Sequence, residues 1–165
     1  MIRITDKKLF KAIDRINGLA VKDYTALIED FAKKQPALIK YIVDNTESLS
    51  KPAARDEAIY MISVVWQCYL DLKRPIGKIT TKDIAKTEKQ QMRSWEKLAA
   101  ITDEKEEDAF AKKFITQPQI WAFLNEIVLP EDKKKSNFNK KTDVALAYAL
   151  VNLVVSLLDQ KVASR

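Results

Sequence analysis

The stretch Ala58-Ile59-Tyr60-Met61-Ile62-Ser63-Val64-Val65-Trp66-Gln67-Cys68-Tyr69-Leu70 decides the fold, because only Ser63 and Gln67 break an otherwise continuous apolar or aromatic run. It is too long for a buried strand, and a helix that is oily on nearly every side must be surrounded by other elements. A second such run, Val144 to Leu158, is broken only by Asn152 and Ser156. Its apolar core is shorter than the ~20 residues a bilayer requires and Asp143 and Asp159 close it, so it reads as a second buried central helix rather than a membrane span.

The rest of the chain supplies polar-faced cover for these two. Thr5 caps a first helix whose Leu9, Ala12, Ile13 and Ile16 recur at helical spacing, and Gly18 ends it. A second runs from Asp23 to about Lys34, burying Tyr24, Leu27, Ile28 and Phe31. Pro36 opens a third, with Leu38, Ile39, Ile42 and Val43 inward. Ser50 and Pro52 start the central fourth, which reaches about Leu72 and is closed by Pro75-Ile76-Gly77. Thr80 and Asp83 form a capping pair for a fifth, to about Ala100. Thr102 or Asp103 caps a sixth, to about Ile115. Pro118 opens a seventh that ends before Pro130, and Thr142 or Asp143 starts the eighth. The expectation is an all-α, single-domain bundle of about eight helices spanning 1–165.

An internal echo accompanies this order. Arg3-Ile4-Thr5 returns as Lys78-Ile79-Thr80, Phe31-Ala32-Lys33-Lys34 as Phe110-Ala111-Lys112-Lys113, and Gln35-Pro36 as Gln117-Pro118. Tyr60 matches Tyr148, Asp71 matches Asp159 and Lys73 matches Lys161, in the same sequence of helices. Chance matches arise readily in Lys-rich helical chains. The alternative is two tandem four-helix repeats, 1–77 and 78–165, with the central helices meeting near a pseudo-twofold axis.

Composition closes several functional classes. With no histidine there is no Ser-His or Cys-His nucleophile system, no His-coordinated zinc and no Glu-x-x-His di-iron bundle. Two glycines in 165 residues leave nothing for a Gly-rich phosphate loop. The single cysteine, Cys68, cannot pair within the chain and lies in an apolar run, which with a charged N-terminus lacking a signal-peptide core predicts a reduced, cytoplasmic setting. The formal charge of +6, from 29 Lys and Arg against 23 Asp and Glu, divides equally between the halves and biases the surface weakly toward anionic partners.

Two basic features carry the candidate sites. On the fifth helix Lys78, Lys82, Lys86, Lys89, Arg93 and Lys97 recur every three or four residues and so share one edge, opposite Ile84, Trp95 and Leu98. Lys7 and Lys11 continue the theme on the first helix. The loop Lys133-Lys134-Lys135-Ser136-Asn137-Phe138-Asn139-Lys140-Lys141 sets one aromatic among five lysines, where Phe138 either stacks on a base or headgroup or folds back on the core. Solvated charge is the plain alternative for both. The acidic run Asp103, Glu104, Glu106, Glu107, Asp108 is what a helix N-terminus favours, and it has no paired acidic motif downstream to share a Mg²⁺ ion. Asp71 and Asp159, ending apolar helices where negative charge is disfavoured, call for cations, with Lys73, Arg74 and Lys161 nearest in sequence.

What remains is a non-catalytic binding or adaptor protein without cofactor, recognising another macromolecule, most naturally a protein. The alternatives are nucleic-acid or anionic-surface binding through the basic helix edge, and a carboxylate-dependent Mg²⁺ nucleotide hydrolase. The generous apolar fraction also leaves room for a homo-oligomer.

Overall fold

The computed structural model describes residues 2–163, and of Lys113 and Phe114 the backbone alone. Among the described residues it forms eight α-helices: α1 (Asp6–Asn17), α2 (Val21–Lys34), α3 (Pro36–Thr46), α4 (Pro52–Leu70), α5 (Thr81–Ala100), α6 (Glu104–Phe114), α7 (Pro118–Val128) and α8 (Lys141–Lys161). A 3₁₀ turn, Lys133–Lys135, lies between α7 and α8. Together they form an all-α bundle with one hydrophobic core, to which, among the described residues, every α-helix but α6 contributes.

The two apolar runs are the centre of that core. α4 packs against α8, with Met61, Val64, Val65, Cys68, Val154, Leu157 and Leu158 wholly buried. α1 lies on α4 and α5 lies on α8, while α1 also touches α7 and α3 also touches α5. Phe31 from α2 stacks flat on Trp66 at 4.3 Å between ring centres. α8 is long and apolar enough to cross a membrane, at a mean hydropathy of 1.5, which corrects the expectation that it was too short. Yet 61% of that window is buried inside the bundle, as a core helix requires.

Two glutamines tie the ends of the halves together. Gln117 accepts from the Ile4 N–H at 2.9 Å and donates to the Ile2 carbonyl at 2.8 Å. Gln35 accepts from the Ile79 N–H at 2.8 Å and donates to the Gly77 carbonyl at 3.0 Å. Each glutamine precedes a proline, which holds it out of the helix (φ −134° at Gln35, −126° at Gln117) and frees its amide to meet extended backbone. Thr5 caps the Lys8 N–H and Thr80 caps the Asp83 N–H in the same way. The segment after α4 also pairs with the chain end, Gly77 N–H to Lys161 and Ala163 N–H to Pro75, both at 2.9 Å.

Several local expectations change. α2 starts at Val21, and Tyr24, Leu27 and Ile28 are only half-buried. Val43, expected inward, is 44% exposed. Gly18 is right-handed (φ −84°), so its smallness serves close approach to the Asp14 carbonyl, 3.2 Å from where a Cβ would stand. Among non-glycine described residues only Lys73 has positive φ, in the turn after α4. α8 begins at Lys141, and Asp143 does not cap it: the carboxylate is buried and accepts from the backbone and hydroxyl of Ser50, anchoring the entry to α4.

Neither helix-ending aspartate takes its sequence neighbour. Asp71 accepts from Gln67 and faces Arg15 across 3.9 Å. Asp159 is served by neutral donors, the Tyr69 and Thr116 hydroxyls and the Gln117 amide. Residues two apart on a helix do not face each other, so Lys161 points instead to Asp83 at the start of α5, 2.9 Å away.

Candidate functional site

The largest concavity opens where α7 and the first half of α8 diverge. It holds about 1100 Å³ and its walls are mainly apolar: Trp121 and Val128 from α7, Leu129 and Phe138 from the connecting loop, Val144 and Tyr148 from α8, with Trp95 of α5 at one end. Trp121 and Tyr148 pack ring to ring at 4.9 Å, and the Tyr148 hydroxyl donates to Asn125. Burial pushes the Tyr148 hydroxyl's pKa upward, so it stays a neutral donor. Leu129 is 58% exposed at the lip. Lys133 and Lys141 stand on the rim.

The loop keeps this cleft open by its own hydrogen bonds. Asp132 caps the 3₁₀ turn, and the buried Ser136 hydroxyl donates to the Val128 carbonyl at 2.8 Å and accepts from the Phe138 N–H at 3.1 Å. Phe138 is thereby folded inward, 3% exposed, so of the two readings it takes the one that folds it back on the core and does not stand free to stack on a base or headgroup. Lys134, Lys135 and Lys140 are exposed but lie outside the cleft lining.

Five of the six basic residues, Lys82, Lys86, Lys89, Arg93 and Lys97, are exposed on α5, whereas Lys78 is exposed in the segment before the Thr80 cap and is not on the helix; among the described residues none of the six has an ion-pair partner. Lys7 and Lys11 are exposed on α1. These rows do not line the cleft, so the two basic features are separate surfaces. Of the acidic run, Asp103 caps the Glu106 N–H, and among the described residues no three Asp, Glu or Cys side chains converge as a metal site. Cys68 is buried in α4 with its pKa pushed up to about 12, mainly by burial, which leaves no reactive thiolate at neutral pH.

The sequence pattern sets Trp95 opposite the basic edge of the fifth helix and Tyr148 within the second apolar run, and does not reveal that these two share a cleft with Trp121. The available signal was weak: an apolar Leu129-Pro130 step just beyond a helix end, followed by a long polar connection. Comparison with protein-family models, with curated proteins and with solved structures finds no match to this chain.

Proposed function

We propose that this chain is a cytoplasmic, non-catalytic binding module that takes an amphipathic helical segment of another protein into the α7–α8 cleft. The observation that carries the reading is the cleft itself, an apolar, aromatic-walled groove with cations only at its rim. Helix-in-groove recognition requires that arrangement: an oily face enters between Trp121 and Val144, and acidic flanks meet Lys133 and Lys141. Ala145 is exposed on the floor, so Ala145→Arg blocks the cleft without disturbing the core.

The test is affinity capture from native cytosol with wild type and Ala145→Arg, each with and without nuclease. A partner protein that survives nuclease and is lost with Ala145→Arg supports the reading. Equal capture by both forms overturns it. Loss on nuclease treatment points instead to the basic edge of α5, the second reading, favoured by six neighbouring exposed cations without ion-pair partners among the described residues. There, binding falls steeply with salt and vanishes in the combined Lys82→Glu, Lys86→Glu, Arg93→Glu variant.

The halves 1–77 and 78–165 are best understood as two repeats of one four-helix unit. The matching Gln-Pro steps, clamping Ile79 and Ile4 crosswise, support this.

A further inference from the structure

A second concavity of about 270 Å³ lies between α5, α6 and α8, away from the α7–α8 cleft, and its wall chemistry is the opposite. Among the described residues, every side chain lining it apart from Phe110 is a neutral amide or hydroxyl. Its origin is visible by comparing the halves in the register that Ile4 with Ile79, and Asp71 with Asp159, impose. On α5, Thr87 and Gln91 stand where α1 has Ala12 and Ile16, and Ser94 where Leu19 follows the end of α1. On α8, Asn152 and Ser156 stand where α4 has Val64 and Cys68, and Gln160 where Leu72 follows the end of α4. All six first-half residues belong to the hydrophobic core or pack against it. The second half has exchanged each for a polar group at one place.

Part of this polarity is satisfied internally. Gln91 donates to the Ala149 carbonyl at 2.7 Å, and Gln160 reaches the Thr87 hydroxyl at 3.4 Å. Asn152 is different: it is 7% exposed, lines the cavity, and among the described residues its amide makes no hydrogen bond. That amide is not sealed off from solvent but opens on the cavity, where it is free to meet the hydroxyls of a bound molecule.

We infer that this cavity binds a small, neutral, hydroxyl-rich molecule of monosaccharide size. Among the described wall residues an ion finds no counter-charge, and an apolar molecule strands the amides. A pyranose satisfies both requirements, its hydroxyls meeting Asn152, Ser156 and Gln91 while a C–H face lies on Phe110. The volume sits just below the ~300–1,000 Å³ range of small-molecule pockets, as suits a single sugar ring.

The experiment is ligand-observed NMR on the full chain with neutral methyl pyranosides and linear polyols at millimolar concentration, beside sugar phosphates and uronates. Saturable binding by a neutral member, and none by the charged ones, is expected. Asn152→Val, which puts the corresponding first-half residue at this place, removes an amide that faces the cavity and weakens that binding at least about tenfold. Ser156→Cys, the other first-half residue, weakens binding in a fold that Cys68 shows is tolerated. No binding by any neutral probe, or unchanged affinity in both variants, overturns the inference and leaves the cavity to water.

Discussion

Gln35 and Gln117 do work that their residue type alone does not announce. Each is almost fully buried, at 1% and 2% exposure, and each satisfies one N–H and one carbonyl of a backbone segment that belongs to no helix. Replacing either by leucine keeps the volume roughly constant but leaves those groups unpaired, at about 1–3 kcal/mol. Gln117→Leu is expected to be the worse of the two in urea denaturation, because it also strips a donor from Asp159, at 3.0 Å. Equal or negligible losses would show that water replaces the clamp freely. The repeated Gln-Pro was legible in the sequence as an echo, but its purpose was not, since the partner backbone lies 44 residues away for one clamp and 113 for the other. Asp159 teaches the same lesson: a nearby lysine was the economical guess, and three neutral donors, one from α4 and two from the α6–α7 connection, took its place.

At the scale of elements, local chemistry was the dependable guide. The capping pair read at Thr80 and Asp83 is present with both reciprocal bonds. It also makes the start of α5 sensitive to acid. The backbone N–H of Thr80 above all, then Lys161 and the Thr80 hydroxyl, hold the Asp83 carboxyl down at about 2 against an ordinary 3.8. A depressed folded-state pKa contributes stability that is complete above the unfolded value and disappears as pH falls through the folded one. The wild type is therefore expected to lose stability between roughly pH 4 and pH 2, and Asp83→Asn to show a shallower slope across that window, by denaturation at stepped pH. Parallel slopes would mean that solvent screens the site entirely. The basic edge of α5 was legible for five cations, since helical spacing puts Lys82, Lys86, Lys89, Arg93 and Lys97 together, but Lys78 falls before the Thr80 cap, outside the helix. The cleft was not, because Trp121, Tyr148 and Phe138 reach it from elements whose relative tilt no sequence pattern records. Where spacing did mislead, as at Val43, the apolar stripe of a short helix was wider than the face its neighbours cover.

For the molecule as a whole, the connections between halves matter more than those within them. α1 packs on its own half's α4 but also on α7 of the other, and α5 packs on α8 but also on α3. Each half offers the glutamine that fixes the other half's entry segment, and α4 and α8 bury their remaining apolar sides on each other. A half alone would therefore expose the inner face of its central helix, including Met61, Val65 and Cys68 or Val154, Leu157 and Leu158. That is an apolar area few small domains tolerate, at a length where cores are already marginal. Fragments 1–77 and 78–165, expressed separately, are expected to lack cooperative thermal unfolding, and mixing them in equal amounts is expected to restore both helix content and a single transition. The restored Tm should rise with concentration, as an equilibrium between two chains requires. Either fragment melting cooperatively by itself near the Tm of the intact chain would mean that the halves are two finished domains in contact, and that the crosswise glutamines fasten the structure without being needed to form it.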